Sequence, residues 1–156
     1  IIKSLEKLNT QVLWIWPNID AGSDSIAKDL RRYRELNILS DEWLTLIKNV
    51  NPEVYIHLMN KALCLIGNSS SFVRDSSFLG TPSLIVSNRQ INRERGKNTI
   101  YLGNLSSQED LIFNIKKAIS KEERIYSNIY DQKNPSEIIV EAIYKLNPKI
   151  QKTFYL

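Results

Sequence analysis

The 156-residue chain holds one cysteine, one histidine, one methionine and only five glycines, and each scarcity closes a class of function. A lone cysteine forms no internal disulfide, so Cys64 argues against a stapled secreted scaffold and for a reducing, cytoplasmic setting. One cysteine and one histidine cannot build a zinc site, and no cofactor is expected. No apolar run approaches the length that spans a bilayer, and no segment has the layout of a signal peptide, so a membrane is not an expected partner. Charge of one sign is not concentrated either. Lys and Arg number 21 against 17 Asp and Glu, a net charge of +4. Without a basic run interleaved with aromatics, nucleic acid is not an expected partner. A mildly positive surface does favour small anionic ligands.

What is present has the composition of one globular domain over residues 1–156, 42% hydrophobic and 24% charged. The chain opens Ile1-Ile2-Lys3 without an initiator methionine, which reads as part of something longer. Ile1 to Leu8 has the pattern of a helix end, with Ile1, Leu5 and Leu8 on one face. Val12 to Trp16 is a β-branched and aromatic strand, followed by a loop from Pro17 to Ser23. Ser23 or Asp24 caps a helix to about Leu36, with Ile26, Leu30 and Tyr33 inward and Lys28, Arg31, Arg32 and Arg34 mostly on the solvated side. Leu44 to Lys48 is a strand, and Asn51-Pro52 opens a helix carrying Val54, Tyr55, Leu58 and Met59. Late in the chain, Ser107 to Ser120 reads as a helix with Leu111, Ile115 and Ile119, and a last helix runs from about Ser136 to Leu146. Strands alternating with helices read as an α/β, Rossmann-like parallel sheet covered by helices on both faces.

The organising stretch lies between, from Leu63 to Tyr101. Leu63-Cys64-Leu65-Ile66 suits a buried parallel strand, and Gly67-Asn68 breaks it. Ser69-Ser70-Ser71 then leads into a helical face of Val73, Phe78 and Leu79 that stops at Gly80, with Pro82 beyond. Ser83 to Val86 is the next strand, and Thr99 to Leu102 the one after. Hydroxyls and free backbone N–H groups at a helix start favour an anion. The loop Asn88–Gly96 adds arginines near the carboxyl ends of the strands, where open α/β sheets bind ligands. A simple N-cap and a solvated basic loop are the plainer alternatives. Together the two loops point to a nucleotide-phosphate site.

Nothing else carries chemistry. His57 has no carboxylate at helical spacing and reads as a surface or packing residue. Ser69 lacks a Ser-His-Asp context. The pairs Glu109-Asp110 and Glu122-Glu123 are neighbours that do not face each other on a helix.

Gly67-Asn68-Ser69-Ser70-Ser71, Arg74-Asp75, Phe78, Gly80-Thr81-Pro82, Asn88-Arg89-Gln90, Arg93 and Arg95-Gly96-Lys97-Asn98 resemble the signature of the UDP-N-acetylglucosamine 2-epimerases. The resemblance is closer to the hydrolysing branch, which feeds sialic-acid-type sugars. Trp16-Pro17-Asn18-Ile19-Asp20-Ala21-Gly22-Ser23 resembles a second block of that branch, so the likeness runs from about Val12 to the tail. It implies the C-terminal half of a GT-B-type two-domain enzyme, without its N-terminal domain and first strand. It further implies a UDP-sugar substrate, no catalytic residue on this chain, and a homo-oligomer when full-length. Carried over by position, Ser69 and Ser70 bond the diphosphate, and Asp75 stands where the family has a glutamate for the ribose. Asn18 lies near the diphosphate or nucleoside, the Val50 backbone near the uracil, and Arg89 close to the nucleotide. Two positions depart from the family, Phe72 and Asn92, where glycine is usual. A phenyl ring at a phosphate-facing helix start restricts a ligand's approach to the backbone. The rival readings are the C-terminal domain of a GT-B glycosyltransferase and a non-catalytic interaction module.

Overall fold

Short apolar runs flanked by capping residues set the elements of the computed structural model, which describes residues 1–17, 22–35, 42–104, 107–120 and 123–146. Helix α1 (Ile2–Glu6) precedes strand β1 (Val12–Ile15), α2 (Ser23–Glu35), β2 (Leu44–Ile47), α3 (Pro52–Lys61) and β3 (Leu65–Gly67). A 3-10 turn (Ser70–Phe72) and α4 (Asp75–Leu79) follow, then β4 (Ser83–Val86), β5 (Thr99–Gly103), α5 (Gln108–Ile119) and α6 (Pro135–Lys145). The expected caps form. Asn51 Oδ1 accepts from Glu53 N–H at 2.9 Å, with Pro52 in the first turn of α3. Ser107 Oγ accepts from Asp110 N–H at 3.1 Å at the start of α5. Gly80 ends α4 with φ 65° and ψ 10°, a left-handed conformation that glycine adopts without steric cost.

All strand pairs are parallel, as the alternation predicts, but the strands form two sheets rather than one. One is β1-β2, with Val12 opposite Leu44 and Ile15 opposite Ile47. The other is β3-β4-β5, with Leu65 opposite Ser83 and Ser83 opposite Thr99. Among the described residues β1 and β3 share no ladder, so each keeps one unpaired edge. Side chains from both sheets rest on the same cluster: Leu5 of α1, Leu84 of β4, and Leu111, Ile115 and Ala118 of α5. Val12 and Trp14 of β1, Ile66 of β3 and Ile100 of β5 pack against it. Burial on the helical layer of α1 and α5 therefore joins two sheets that backbone bonding does not.

Helix and strand faces differ in detail from the sequence pattern. In β1-β2, Leu13 and Thr45 are exposed while Leu44 is buried, so that pair alternates instead of being covered on both faces. In α2 it is Ala27 and Leu30 that are buried, and Ile26 is exposed. In α1, Ile2, Ser4 and Leu5 are buried and Ile1 is exposed. Strand β3 starts at Leu65, two residues later than the apolar run, because its first ladder bond is Leu65 N–H to the carbonyl of Pro82 at 2.8 Å. Leu63 is left exposed.

Polar side chains bind the centre together. Asn98 is 4% exposed, and its Nδ2 donates to the carbonyls of Ser76 at 3.1 Å and Thr81 at 2.9 Å, and to Ser76 Oγ at 3.0 Å. Thr81 Oγ1 in turn donates to the Met59 carbonyl at 3.0 Å. From the segment after α5, Arg124 Nη1 donates to the Leu79 carbonyl at 3.0 Å and to Thr81 Oγ1 at 2.8 Å, while Nη2 reaches the Asn60 carbonyl. Gly80-Thr81-Pro82 and Asn98, all within the family-like signature, thus serve the joint between α3, α4 and β4. Helix α6 stands apart: it buries no residue and exposes Ile138, Ile139, Val140, Ile143 and Tyr144.

Candidate functional site

The site is built at the carboxyl ends of β3 and β4, adjacent strands of one parallel sheet. Strand β3 ends at Gly67, whose φ of 155° lies at the edge of the range that side chains rarely adopt. A Cβ on Gly67 would stand 3.0 Å from Phe72 Cε2, so the phenyl ring folds back onto the end of β3. After Asn68 the chain turns. Ser69 Oγ accepts from Ser71 N–H at 3.4 Å, which caps the 3-10 turn. As an acceptor there, the Ser69 hydroxyl keeps its own proton free to donate. Among the described residues Ser70 Oγ has no intramolecular partner.

The expected single helix from the serine run to Leu79 is instead a 3-10 turn followed by the five-residue α4. Serine hydroxyls explain the break. Ser76 Oγ donates to the Phe72 carbonyl at 2.7 Å and Ser77 Oγ to the Arg74 carbonyl at 2.6 Å, competing with the helical ladder. The buried face is Val73, Ser76 and Ser77, and Phe78 is exposed at 43%. The helix dipole therefore contributes less at this turn than a long helix would. The groups the two loops offer to an anion are hydroxyls, backbone amides and arginines. Asp75 is half-buried at the first position of α4, one turn beyond the serines.

The second loop leaves β4 at Ser87 and carries Arg89, Arg93 and Arg95, all exposed. It is fastened at several points. Tyr101 O–H donates to Asn88 Oδ1 at 2.8 Å, the Arg95 guanidinium lies over the Tyr101 ring at 5.6 Å from its centroid, and Tyr130 O–H donates to the Glu94 carbonyl. Gln90 Nε2 donates to the Asn68 carbonyl at 2.9 Å and so joins this loop to the serine turn. The turn that carries Ser69 and Ser70 and the loop that carries Arg89 are therefore adjacent. Asn92, the other departure from the family, is exposed on the same loop.

Val50 follows β2 at the carboxyl end of the other sheet. Its N–H donates to Asn49 Oδ1 at 2.9 Å, which leaves the carbonyl as the backbone group open to a ligand. Asn18 lies outside the described residues, as does most of the loop from Pro17 to Ser23 and the expected end of α2 at Leu36. Sequence reasoning missed the roles of Gln90 and Tyr101. Gln90 stood within the recognisable block, but nothing in its spacing told that its amide points to the other loop.

The other groups stay silent. His57 is exposed on α3. Burial pushes the Cys64 thiol up to about 12, so it remains protonated at neutral pH and is no nucleophile. Glu109 and Asp110 are exposed in the first turn of α5, where negative charge suits the helix N-terminus. No group of three His, Cys, Asp or Glu residues among the described ones could hold a metal ion. No described helix is long and apolar enough to cross a membrane. A surface hollow lined by Glu6, Asn9, Thr10, Gln11, Glu42 and Trp43 lies at the amino ends of β1 and β2, and neither loop lines it.

The family described as UDP-N-acetylglucosamine 2-epimerase matches residues 1–144. The chain is 33% identical over 99 residues to the UDP-N-acetylglucosamine 2-epimerase of Neisseria meningitidis serogroup B, covering 64% of this chain and 25% of that protein. It is 32% identical over 101 residues to the GDP/UDP-N,N'-diacetylbacillosamine 2-epimerase (hydrolyzing) of Campylobacter jejuni, covering 64% and 26%. With the UDP-N,N'-diacetylbacillosamine 2-epimerase (hydrolyzing) of Legionella pneumophila it shares 24% identity over 137 residues, covering 88% and 34%. The chain spans about a quarter to a third of the length of these relatives. Within that span, the serine turn, the arginine loop and the buried Asn98 joint are carried by one continuous match, and the chain belongs to the UDP-N-acetylglucosamine 2-epimerase family.

Proposed function

We propose that this chain is the UDP-gripping C-terminal domain of a two-domain, GT-B-type, hydrolysing UDP-N-acetylglucosamine 2-epimerase. The whole enzyme would release UDP and form N-acetylmannosamine for sialic-acid-type or surface-polysaccharide sugars, in the cytoplasm. One observation carries the reading: the hydroxyl turn of Ser69 and Ser70 and the Arg89 loop meet at the carboxyl ends of adjacent parallel strands. There Ser69 and Ser70 donate to the diphosphate, Arg89 neutralises its charge, Asp75 accepts from the ribose hydroxyls, and Asn18 and the Val50 carbonyl border the nucleoside. The relatives whose names include "hydrolyzing" support the branch.

In the reaction proposed, UDP is eliminated from the sugar to leave a 2-acetamidoglucal, to which water adds with inverted configuration at C2. This chain's part is to hold the departing diphosphate. Proton abstraction needs a base within hydrogen-bond reach of the sugar carbon, and the groups assigned to this site are hydroxyls, a guanidinium, amides and the Asp75 carboxylate, which is engaged with the ribose. The acid and base therefore belong to the other domain. The chain incubated with UDP-N-acetylglucosamine is expected to release no UDP above a heat-killed control; release above it would refute the assignment.

Phe72 supplies a second test. Its ring lies on Gly67, at the end of the strand from which the phosphate turn departs. Phe72→Gly is expected to tighten UDP binding by opening the approach to the turn's amides, at a small cost in stability. Unchanged or weaker binding would show that the ring supports the turn instead of crowding it.

A further inference from the structure

We propose that Gln90 is a positioning residue of the nucleotide site: its buried carboxamide locks the loop after β4 to the turn after β3 and so fixes Arg89 relative to Ser69 and Ser70. The proposal rests on the nucleotide reading above. Gln90 is 5% exposed, whereas its neighbours Arg89 and Ile91 are exposed. Its Nε2 donates to the Asn68 carbonyl at 2.9 Å, while its Oε1 is buried and has no partner among the described residues. A buried acceptor left unmet costs stability, and an apolar side chain would fill the same space without that cost. What the amide adds is the single bond across to the other loop.

The surroundings make that bond matter. Asn88, two residues earlier, is tied to β5 through Tyr101 O–H at 2.8 Å. Ile91 N–H donates to the Asn88 carbonyl at 3.2 Å and Arg93 N–H to the Gln90 carbonyl at 3.1 Å, which folds the loop into consecutive turns. Arg89 thus sits between two anchored residues, with its backbone held on an exposed loop. A charge on a held backbone gives up less freedom when it meets a phosphate than one on a loose loop. Gln90 itself is enclosed.

Three chains read the proposal: wild type, Gln90→Met and Gln90→Glu, each titrated with UDP across pH. Gln90→Met, similar in shape but without a donor, is expected to bind about tenfold more weakly at every pH. Gln90→Glu is expected to be at least as weak at about pH 8, because its carboxylate faces a carbonyl. As its carboxyl, raised by burial, takes up a proton, it can donate to Asn68, and its affinity should approach wild type by about pH 5.5. Relief of charge alone would restore Gln90→Glu only to the level of Gln90→Met, so recovery beyond that level marks the hydrogen bond. Amide hydrogen exchange over Gly67–Phe72 in the ligand-free chains should be faster in Gln90→Met and unchanged around α5. Wild-type affinity in Gln90→Met, or recovery of Gln90→Glu that stops at its level, overturns the positioning role. A wild-type chain that binds no UDP overturns the nucleotide reading itself, and this role with it.

Discussion

Asn98→Leu is expected to lower the stability of the chain by about 3–5 kcal/mol, since two buried carbonyls would lose their donor at about 1–3 kcal/mol each and a third bond goes with them. The carbonyls are those of Ser76 and Thr81, both residues fully buried, at 3.1 and 2.9 Å from Asn98 Nδ2. Leucine keeps the branched shape and is no smaller, so the loss does not come from a cavity. Asn98→Asp should be no better, because a carboxylate offers no donor to two carbonyls. At a few degrees per kcal/mol for a chain of this size, the midpoint of thermal unfolding should fall by roughly 10 °C or more. A midpoint within about 2 °C of wild type would mean that the joint between α4, β4 and β5 is held by packing alone.

Arg89→Ala is expected to weaken UDP binding by about tenfold to a hundredfold, the weight of one charge-assisted contact of about 1.5–3 kcal/mol. Its side chain is exposed on a loop, so the thermal midpoint should hardly move. Lys116→Ala removes the same charge from the exposed side of α5 and should leave binding unchanged. Comparing the two separates a local contact from the general attraction of a positive surface. If both variants lose equally, UDP is held by net charge and the site assignment fails. Ser70→Ala should give a smaller loss in the same assay.

Much of this architecture can be read from local chemistry. Asn51-Pro52, Ser107 and Gly80 act as caps wherever they stand, because each satisfies or releases backbone groups that any helix end leaves open. The apolar runs of β1, β2 and β4 mark strands for the same local reason. What resisted reading depends on partners far along the chain. The split between β1-β2 and β3-β4-β5 is a matter of which edges find a neighbour, and no run of residues encodes that by itself. In α4, the pattern of Phe78 and Leu79 suggested an apolar inner face, yet Ser76 and Ser77 are the buried residues. Their hydroxyls bond carbonyls of their own turn, so small polar groups pass where apolar ones were expected. At the proposed site, the resemblance is what implies Ser69, Ser70, Asp75 and Arg89. The contact of Gln90 is not legible in the sequence, because its partner Asn68 lies 22 residues away.

A titration of the chain with UDP by calorimetry at low salt, repeated at higher salt and on Arg89→Ala, tests the central claim most directly. The account predicts saturable one-to-one binding, weak for a domain that supplies one side of a cleft. That binding should diminish with salt, because charged contacts at an exposed loop are screened, and it should fall about tenfold or more without Arg89. A chain that is folded by circular dichroism and takes up no UDP, or takes it up equally well without Arg89, would contradict it.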